Sequence, residues 1–220
     1  MVNYLFVNFK TYREGTGKNA VSLARALASL KGRAKIIPVV QALDLKEVAS
    51  KVPLNVFAQH ADPVSFGSNT GAVLPEALKS AGAYGTILNH AENKRPNEFI
   101  EKAVRRCRDA GLKVMLCAES IQRARELAGF SPDFIAVEPP ELIGGDISVS
   151  TARPELISDS VEAIHSVDKK IIVITGAGIK NSGDVRKALE LGTKGVFVAS
   201  GIVKAENQKN AARELMKGFH

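Results

Sequence analysis

The sequence predicts an α/β protein, a closed (β/α)8 barrel of eight parallel strands with reduced outer helices, on three observations. Eight short apolar, β-branched runs recur through the 220 residues, amphipathic helical patterns alternate with them, and no linker or low-complexity stretch intervenes. Dividing 220 residues by eight gives about 27 per unit, the size of a lean βα repeat. Residues 1–220 therefore read as a single barrel domain.

The runs, in order, are 5–8, 35–40, 54–59, 84–89, 113–118, 133–138, 170–175 and 195–200. Their near-continuous hydrophobicity suits strands covered on both faces, as parallel sheets require. After the first run, Leu23, Leu27 and Leu30 keep an i, i+4, i+7 stripe. Phe99, Ala103, Val104 and Cys107 form the fourth stripe, Ile121, Ala124 and Ala128 the fifth, and Ile157, Val161 and Ile164 the sixth. Pro96 and Pro154 fall at first helical turns, where a missing N–H costs nothing. Gly32, Gly82, Gly111 and Gly192 fall where helices end in a left-handed residue.

Composition excludes several classes. The apolar stretches 36–40 and 171–174 are far short of the roughly 20 residues that span a bilayer. The start, MVNYLFVNFK, has no basic segment leading into a long apolar one, so no signal peptide is expected and the cytoplasm is the expected location. Cys107 and Cys117 are too few for a disulfide framework and lack zinc-site spacing. The net charge of +7 suits nucleic acid or the steering of a small anionic substrate. Aromatic residues are only 5% and never interleave with Arg as single-strand binders require, which favours the second. The basic group Lys102, Arg105, Arg106 and Arg108 reads as a solvated helix face.

In such a barrel, chemistry sits at the C-terminal ends of the strands. The first run ends in Asn8-Phe9-Lys10, and alternation along an extended chain brings the Asn8 amide and Lys10 ammonium out on one side. The fourth ends in Asn89-His90-Ala91-Glu92, which puts an imidazole at the same face. Of the other histidines, His60 follows the third strand and suits an interface or site; His165 lies late in a helix and His220 ends the chain. The sixth run ends in Glu138 before Pro139-Pro140. A carboxylate there is held rigidly and partly desolvated, which strengthens it as a base. Residues 139–146, rigid at the prolines and ending in Gly144-Gly145-Asp146, suit a hinged lid.

The last two units end in Thr175-Gly176-Ala177-Gly178 and Ala199-Ser200-Gly201, where barrels commonly bind phosphate. Neither Gly176-Ala177-Gly178, followed by Asn181, nor Gly17-Lys18-Asn19 completes a nucleotide fingerprint. A base, an imidazole, an ammonium and an anion cradle from separate strand ends suit proton transfer beside the carbonyl of a small phosphorylated substrate. That chemistry calls for no cofactor and no metal.

At these residues the sequence resembles the triosephosphate isomerase family, whose fold gives the TIM barrel its name, and in particular its compact archaeal branch. The resemblance rests on Asn8-Phe9-Lys10, on Asn89-His90-Ala91-Glu92 and on Val137-Glu138-Pro139-Pro140-Glu141-Leu142-Ile143-Gly144. It continues in Gly176-Ala177-Gly178-Ile179, in Ala199-Ser200-Gly201 and in residues 59–71, which are similar to the family's third βα loop. It implies interconversion of dihydroxyacetone phosphate and D-glyceraldehyde 3-phosphate through an enediol(ate), in glycolysis and gluconeogenesis. Glu138 would be the proton carrier, neutral His90 the electrophile, Lys10 the stabiliser of enediolate charge and Asn8 an orienting group. Substrate contacts are implied at Asn8, Phe9, Lys10, Ile143, Gly144, Gly178, Ala199 and Ser200. It also implies self-association as a homodimer or homotetramer, with residues 62–71 at the interface.

Phe9 departs from the Trp of many relatives, and the short chain implies outer helices cut down to turns, with 176–184 one candidate. The nearest alternative is another phosphate-binding barrel isomerase or synthase, such as those of aromatic amino-acid biosynthesis. It would share the cradle but would not need Asn8, Lys10, His90 and Glu138 together. A basic nucleic-acid-binding protein would instead lose affinity steeply with salt.

Overall fold

The computed structural model describes residues 2–139 and 154–219. Its strands are β1 (Asn3–Asn8), β2 (Ala34–Val40), β3 (Phe57–Ala58), β4 (Gly85–Leu88), β5 (Lys113–Ala118), β6 (Phe134–Val137), β7 (Ile172–Thr175) and β8 (Gly195–Val198). Each pairs in parallel with its neighbours in sequence, and β8 returns to β1 with Tyr4 opposite Gly195 and Val7 opposite Val198, closing the barrel. The closing contact is tight: a Cβ on Gly195 would lie 2.2 Å from the Tyr4 carbonyl oxygen.

The helices are α1 (Lys18–Ala28), α2 (Ala42–Lys51), α3 (Pro75–Ser80), α4 (Asn97–Asp109), α5 (Ile121–Ala128), α6 (Pro154–His165), α7 (Ser182–Glu190), α8 (Ser200–Val203) and α9 (Gln208–Met216). Their starts follow from local chemistry. Ser120 accepts the Arg123 amide at the start of α5, and Asn181 and Asp184 form a reciprocal capping box on α7. Pro75 occupies the first turn of α3 and Pro154 opens α6, whereas Pro96 stands just outside α4 as its cap.

Alternation along the strands builds two cores. Phe6, Phe57, Ile87, Met115, Phe134 and Phe197 fill the barrel interior, with Phe6 at the centre of edge-to-face contacts to Phe57, Phe134 and Phe197. The opposite phase, including Leu5, Val7, Leu116, Ile135, Val173 and Val196, packs beneath the helices. Both faces are buried, which is why the strands read as continuous apolar runs.

The structure revises four expectations. Run 54–59 forms only a two-residue strand, although Gln59 N–H still bonds Val40 O at 3.0 Å and Tyr84 N–H bonds Val56 O at 2.8 Å. Gly82, Gly111 and Gly192 do adopt positive φ, but Gly32 does not; it admits the Met216 side chain, whose terminal methyl would lie 2.3 Å from a Cβ. The outer layer is thinned at α3 and α8, while the segment after β7 ends in a nine-residue helix, α7. The basic face of α4 is solvated only in part. Lys102 and Arg105 pair with Glu98 and Glu101 one turn back, but Arg106 turns inward to Glu76 and to Val64 O.

Candidate active site

The catalytic face continues the inward phase of the strands one step past their ends. On β6 the inward residues are Phe134 and Ala136, so the next is Glu138. The same phase gives Asn8 after Phe6 as the last residue of β1, and Asn89 after Ile87 one residue past β4. All three lie at most 5% exposed.

Lys10 reaches the face by a different route from the one its spacing predicts. The strand stops at Asn8, and Lys10 adopts a left-handed backbone with φ 47°. The Asn8 side chain holds that turn, its Oδ1 accepting the Lys10 amide at 3.0 Å. Gln59 reinforces it, with Nε2 donating to Lys10 O at 2.9 Å. Thus the ammonium shares the cleft with Asn8 because of a strained turn, not because of strand alternation. Lys10 Nζ is anchored by Glu92 Oε1 at 2.7 Å.

His90 follows Asn89, itself left-handed at φ 59°. The Glu92 amide donates to His90 Nδ1 at 3.2 Å, so Nδ1 is an acceptor and the neutral ring carries its proton on Nε2. Burial, helped by the Lys10 charge, holds the imidazole pKa below its ordinary value and favours that neutral form. The Nε2 atom lies 3.6 Å from Glu138 Oε1.

Glu138 is the most perturbed carboxylate of the face. Burial pushes its pKa up to about 7, with the Cys117 thiol and the Lys10 charge opposing the rise. Its Oε2 is buried without a hydrogen-bond partner among the described residues, a lone acceptor of the kind a base needs. Gly176 makes room for it, since a Cβ there would lie 2.4 Å from Glu138 Cγ.

These groups line one cleft of about 510 Å³, whose far wall is formed by Gly176 to Lys180 and by Ala199 to Gly201. Gly178 is left-handed at φ 71°, and the first N–H groups of α8 lie at the same wall. Backbone donors there, with Lys10 across the cleft, can hold an anion beside the carboxylate and imidazole. Among the described residues, no group of three or more His, Cys, Asp or Glu side chains is placed to hold a metal ion.

Most of the expected residues meet here: Asn8, Lys10, His90, Glu138, Gly178, Ala199 and Ser200 all line the cleft. Phe9 does not. Its ring points to the outer core and is wholly buried, because it has the opposite strand phase to Asn8. Ile143, Gly144 and the rest of the expected lid beyond Pro139 lie outside the described residues. His60 lies off the cleft, bonded to Asp62 and stacked on Phe99, and His165 bonds Ile171 O. Three neighbours of the site are not singled out by the sequence: Gln59 behind the Lys10 turn, Glu92 on the ammonium and Cys117 beneath Glu138. Gln59 and Cys117 carry a signal in the chain, as the inward-phase residues two past Phe57 and Met115; Glu92 carries none.

Fold and site together define a class: a (β/α)8-barrel enzyme equipped for general acid–base chemistry on a small anionic substrate. Comparison with known sequences narrows it. The sequence model of the family described as triosephosphate isomerase matches residues 3–215. Proteins named triosephosphate isomerase from Methanothermus fervidus and Archaeoglobus fulgidus are 43% and 44% identical over 214 residues, 96% of this chain and of each relative. One from Methanocaldococcus jannaschii is 40% identical over 215 residues, 97% of this chain and 98% of that protein. The chain belongs to the triosephosphate isomerase family.

Proposed function

We propose that Glu138, His90, Lys10 and Asn8 carry out the isomerisation of dihydroxyacetone phosphate and D-glyceraldehyde 3-phosphate in this chain. The reaction is that of the family, an aldose–ketose isomerisation serving glycolysis and gluconeogenesis. The observation that carries the residue assignment is the 3.6 Å approach of Glu138 Oε1 to His90 Nε2 at the wall of the cleft.

With the ketose bound, Glu138 takes a proton from C1, and electrons move through the C1–C2 bond onto the carbonyl oxygen. His90 Nε2–H donates to that oxygen and passes protons between the two oxygens of the enediol. Lys10 offsets the negative charge that develops there, and its effect is largest where water is excluded. Return of the proton from Glu138 to C2 gives the aldose. Asn8 orients the reacting oxygens, and backbone N–H groups at Gly178, Ala199 and Ser200 hold the phosphate. The family resemblance assigns Ile143 and Gly144, outside the described residues, to a lid whose role would be to keep water from the enediolate, which could otherwise eject phosphate.

The nearest alternative, a different phosphate-binding barrel isomerase or synthase, would not need Asn8, Lys10, His90 and Glu138 together at one cleft. We further propose action in the cytoplasm and self-association through residues 62–71. The latter is supported by a loop whose ends are tied by two Asp62–Val73 hydrogen bonds and which carries Phe66 76% exposed.

A coupled assay of triose phosphate isomerisation on the wild type and on Glu138→Gln tests the assignment. The variant is expected to bind a phosphate-bearing inhibitor within about threefold of wild type and to lose roughly 10³-fold or more in kcat. Near-normal turnover would overturn the role of Glu138.

A further inference from the structure

We infer that Asn89 is a positioning residue that fixes the orientation of His90 and ties it to the same strand end that fixes Glu138; the inference rests on the assignment of His90 as the electrophile. Asn89 is one of three left-handed residues other than glycine among those described, at φ 59°. Asparagine tolerates that region better than most side chains, but glycine would enter it with no strain at all. The side chain therefore needs another reason to be there.

Its contacts supply one. Asn89 is 4% exposed, and both ends of its amide are used. Nδ2 donates to Cys117 O on β5 at 2.9 Å, while Oδ1 accepts the backbone N–H of Arg95 at 3.0 Å. One amide thus spans from the neighbouring strand to the far end of the loop that carries His90. Within that loop the Asn93 N–H closes a turn onto His90 O at 2.7 Å, and the Glu92 N–H sets the imidazole tautomer. Both depend on the loop keeping one shape.

The anchor point is also informative. The next residue of β5, Ala118, accepts the Glu138 N–H at 2.8 Å. Two successive carbonyls of β5 therefore hold the imidazole loop and the base, so the spacing between His90 and Glu138 is set through one strand end. A catalytic constellation loses rate steeply when such spacing drifts by even about 1 Å.

Asn89→Gly separates backbone from side chain, because it keeps the left-handed backbone accessible and deletes both amide bonds. The expected result is a fall in kcat of about tenfold or more with KM within about twofold. In ¹⁵N NMR of the imidazoles, His90 should shift from a single Nε2–H tautomer towards a tautomer mixture, a readout that reports position whether or not turnover is measured. Asn89→Asp keeps the acceptor for Arg95 N–H and loses the donor to Cys117 O, so its kcat should lie between the two. His90→Gln, assayed in parallel, tests the electrophile assignment separately.

A merely structural Asn89 would lower the melting temperature of Asn89→Gly while leaving kcat per folded site and the His90 tautomer unchanged. That outcome overturns the inference. If His90→Gln retained wild-type turnover while Asn89→Gly shifted the tautomer, the clamp would stand and the role of His90 would fall.

Discussion

At neutral pH the Glu138 carboxyl stands near its own midpoint, because burial raises its pKa from an ordinary 4.5 to about 7. A base must be deprotonated in the free enzyme, so kcat/KM is expected to rise with pH through an apparent pKa close to 7. His90 does not oppose this, since burial lowers its pKa and favours the neutral ring. The same shift acts on stability. A folded-state pKa above the unfolded value means that the folded protein prefers the protonated acid. The stabilisation is therefore complete below pH 4.5 and is lost as pH rises through about 7. The rise corresponds to about 3 kcal/mol for this well-buried group. Glu138→Gln, which cannot ionise, should gain roughly that much on the wild type between pH 4 and pH 9 in urea unfolding. Parallel stability curves for the two proteins would show that the carboxylate is not desolvated.

The strand ends act in adjacent pairs. The Gly176 N–H bonds Val137 O at 2.8 Å, so β7 enters the cleft alongside the residue just before the base. That approach leaves no room for a side chain: a Cβ at Gly176 would lie 2.4 Å from Glu138 Cγ and 3.1 Å from Val137 O. Gly176→Ala should displace Glu138 from His90, with kcat falling on the order of 10²-fold and stability by about 1–3 kcal/mol. Retention of wild-type kcat would mean that Glu138 can reach its working position from a second rotamer. Glu138 is legible because it is the one carboxylate closing the apolar run 134–137, directly before Pro139-Pro140. The placement of Lys10 is not legible from strand alternation, since a left-handed turn held by Asn8 and Gln59 has no hydropathy signature. Arg106 looked like part of a solvated face because its partner, Glu76, is remote in sequence and the pairing exists only after α3 and α4 meet. Phe9 stands between two polar cleft residues in the motif, but its own phase points outward into the helix-covered core.

The whole molecule carries +7 while its substrate is a phosphate monoester, so attraction reaches beyond the cleft. Lys10 and Lys180 line the site, and Lys10 is neutralised locally by Glu92, which leaves long-range steering to the net charge and to the other basic groups. Salt separates the two effects. At about 0.1 M the screening length is ~10 Å, comparable to the cleft, so short-range contacts survive while attraction from remote charges is lost. Raising sodium chloride from 20 to 200 mM should therefore lower kcat/KM about three- to tenfold and leave kcat nearly constant, because the bound substrate is already inside the screened region. Initial rates of the coupled assay across that range measure both quantities. A kcat that fell in step with kcat/KM would instead place the salt-sensitive charge in the chemical step, pointing to the Lys10–Glu92 pair. Constancy of both would mean that the surplus positive charge is spread evenly over the surface and creates no field directed at the C-terminal face.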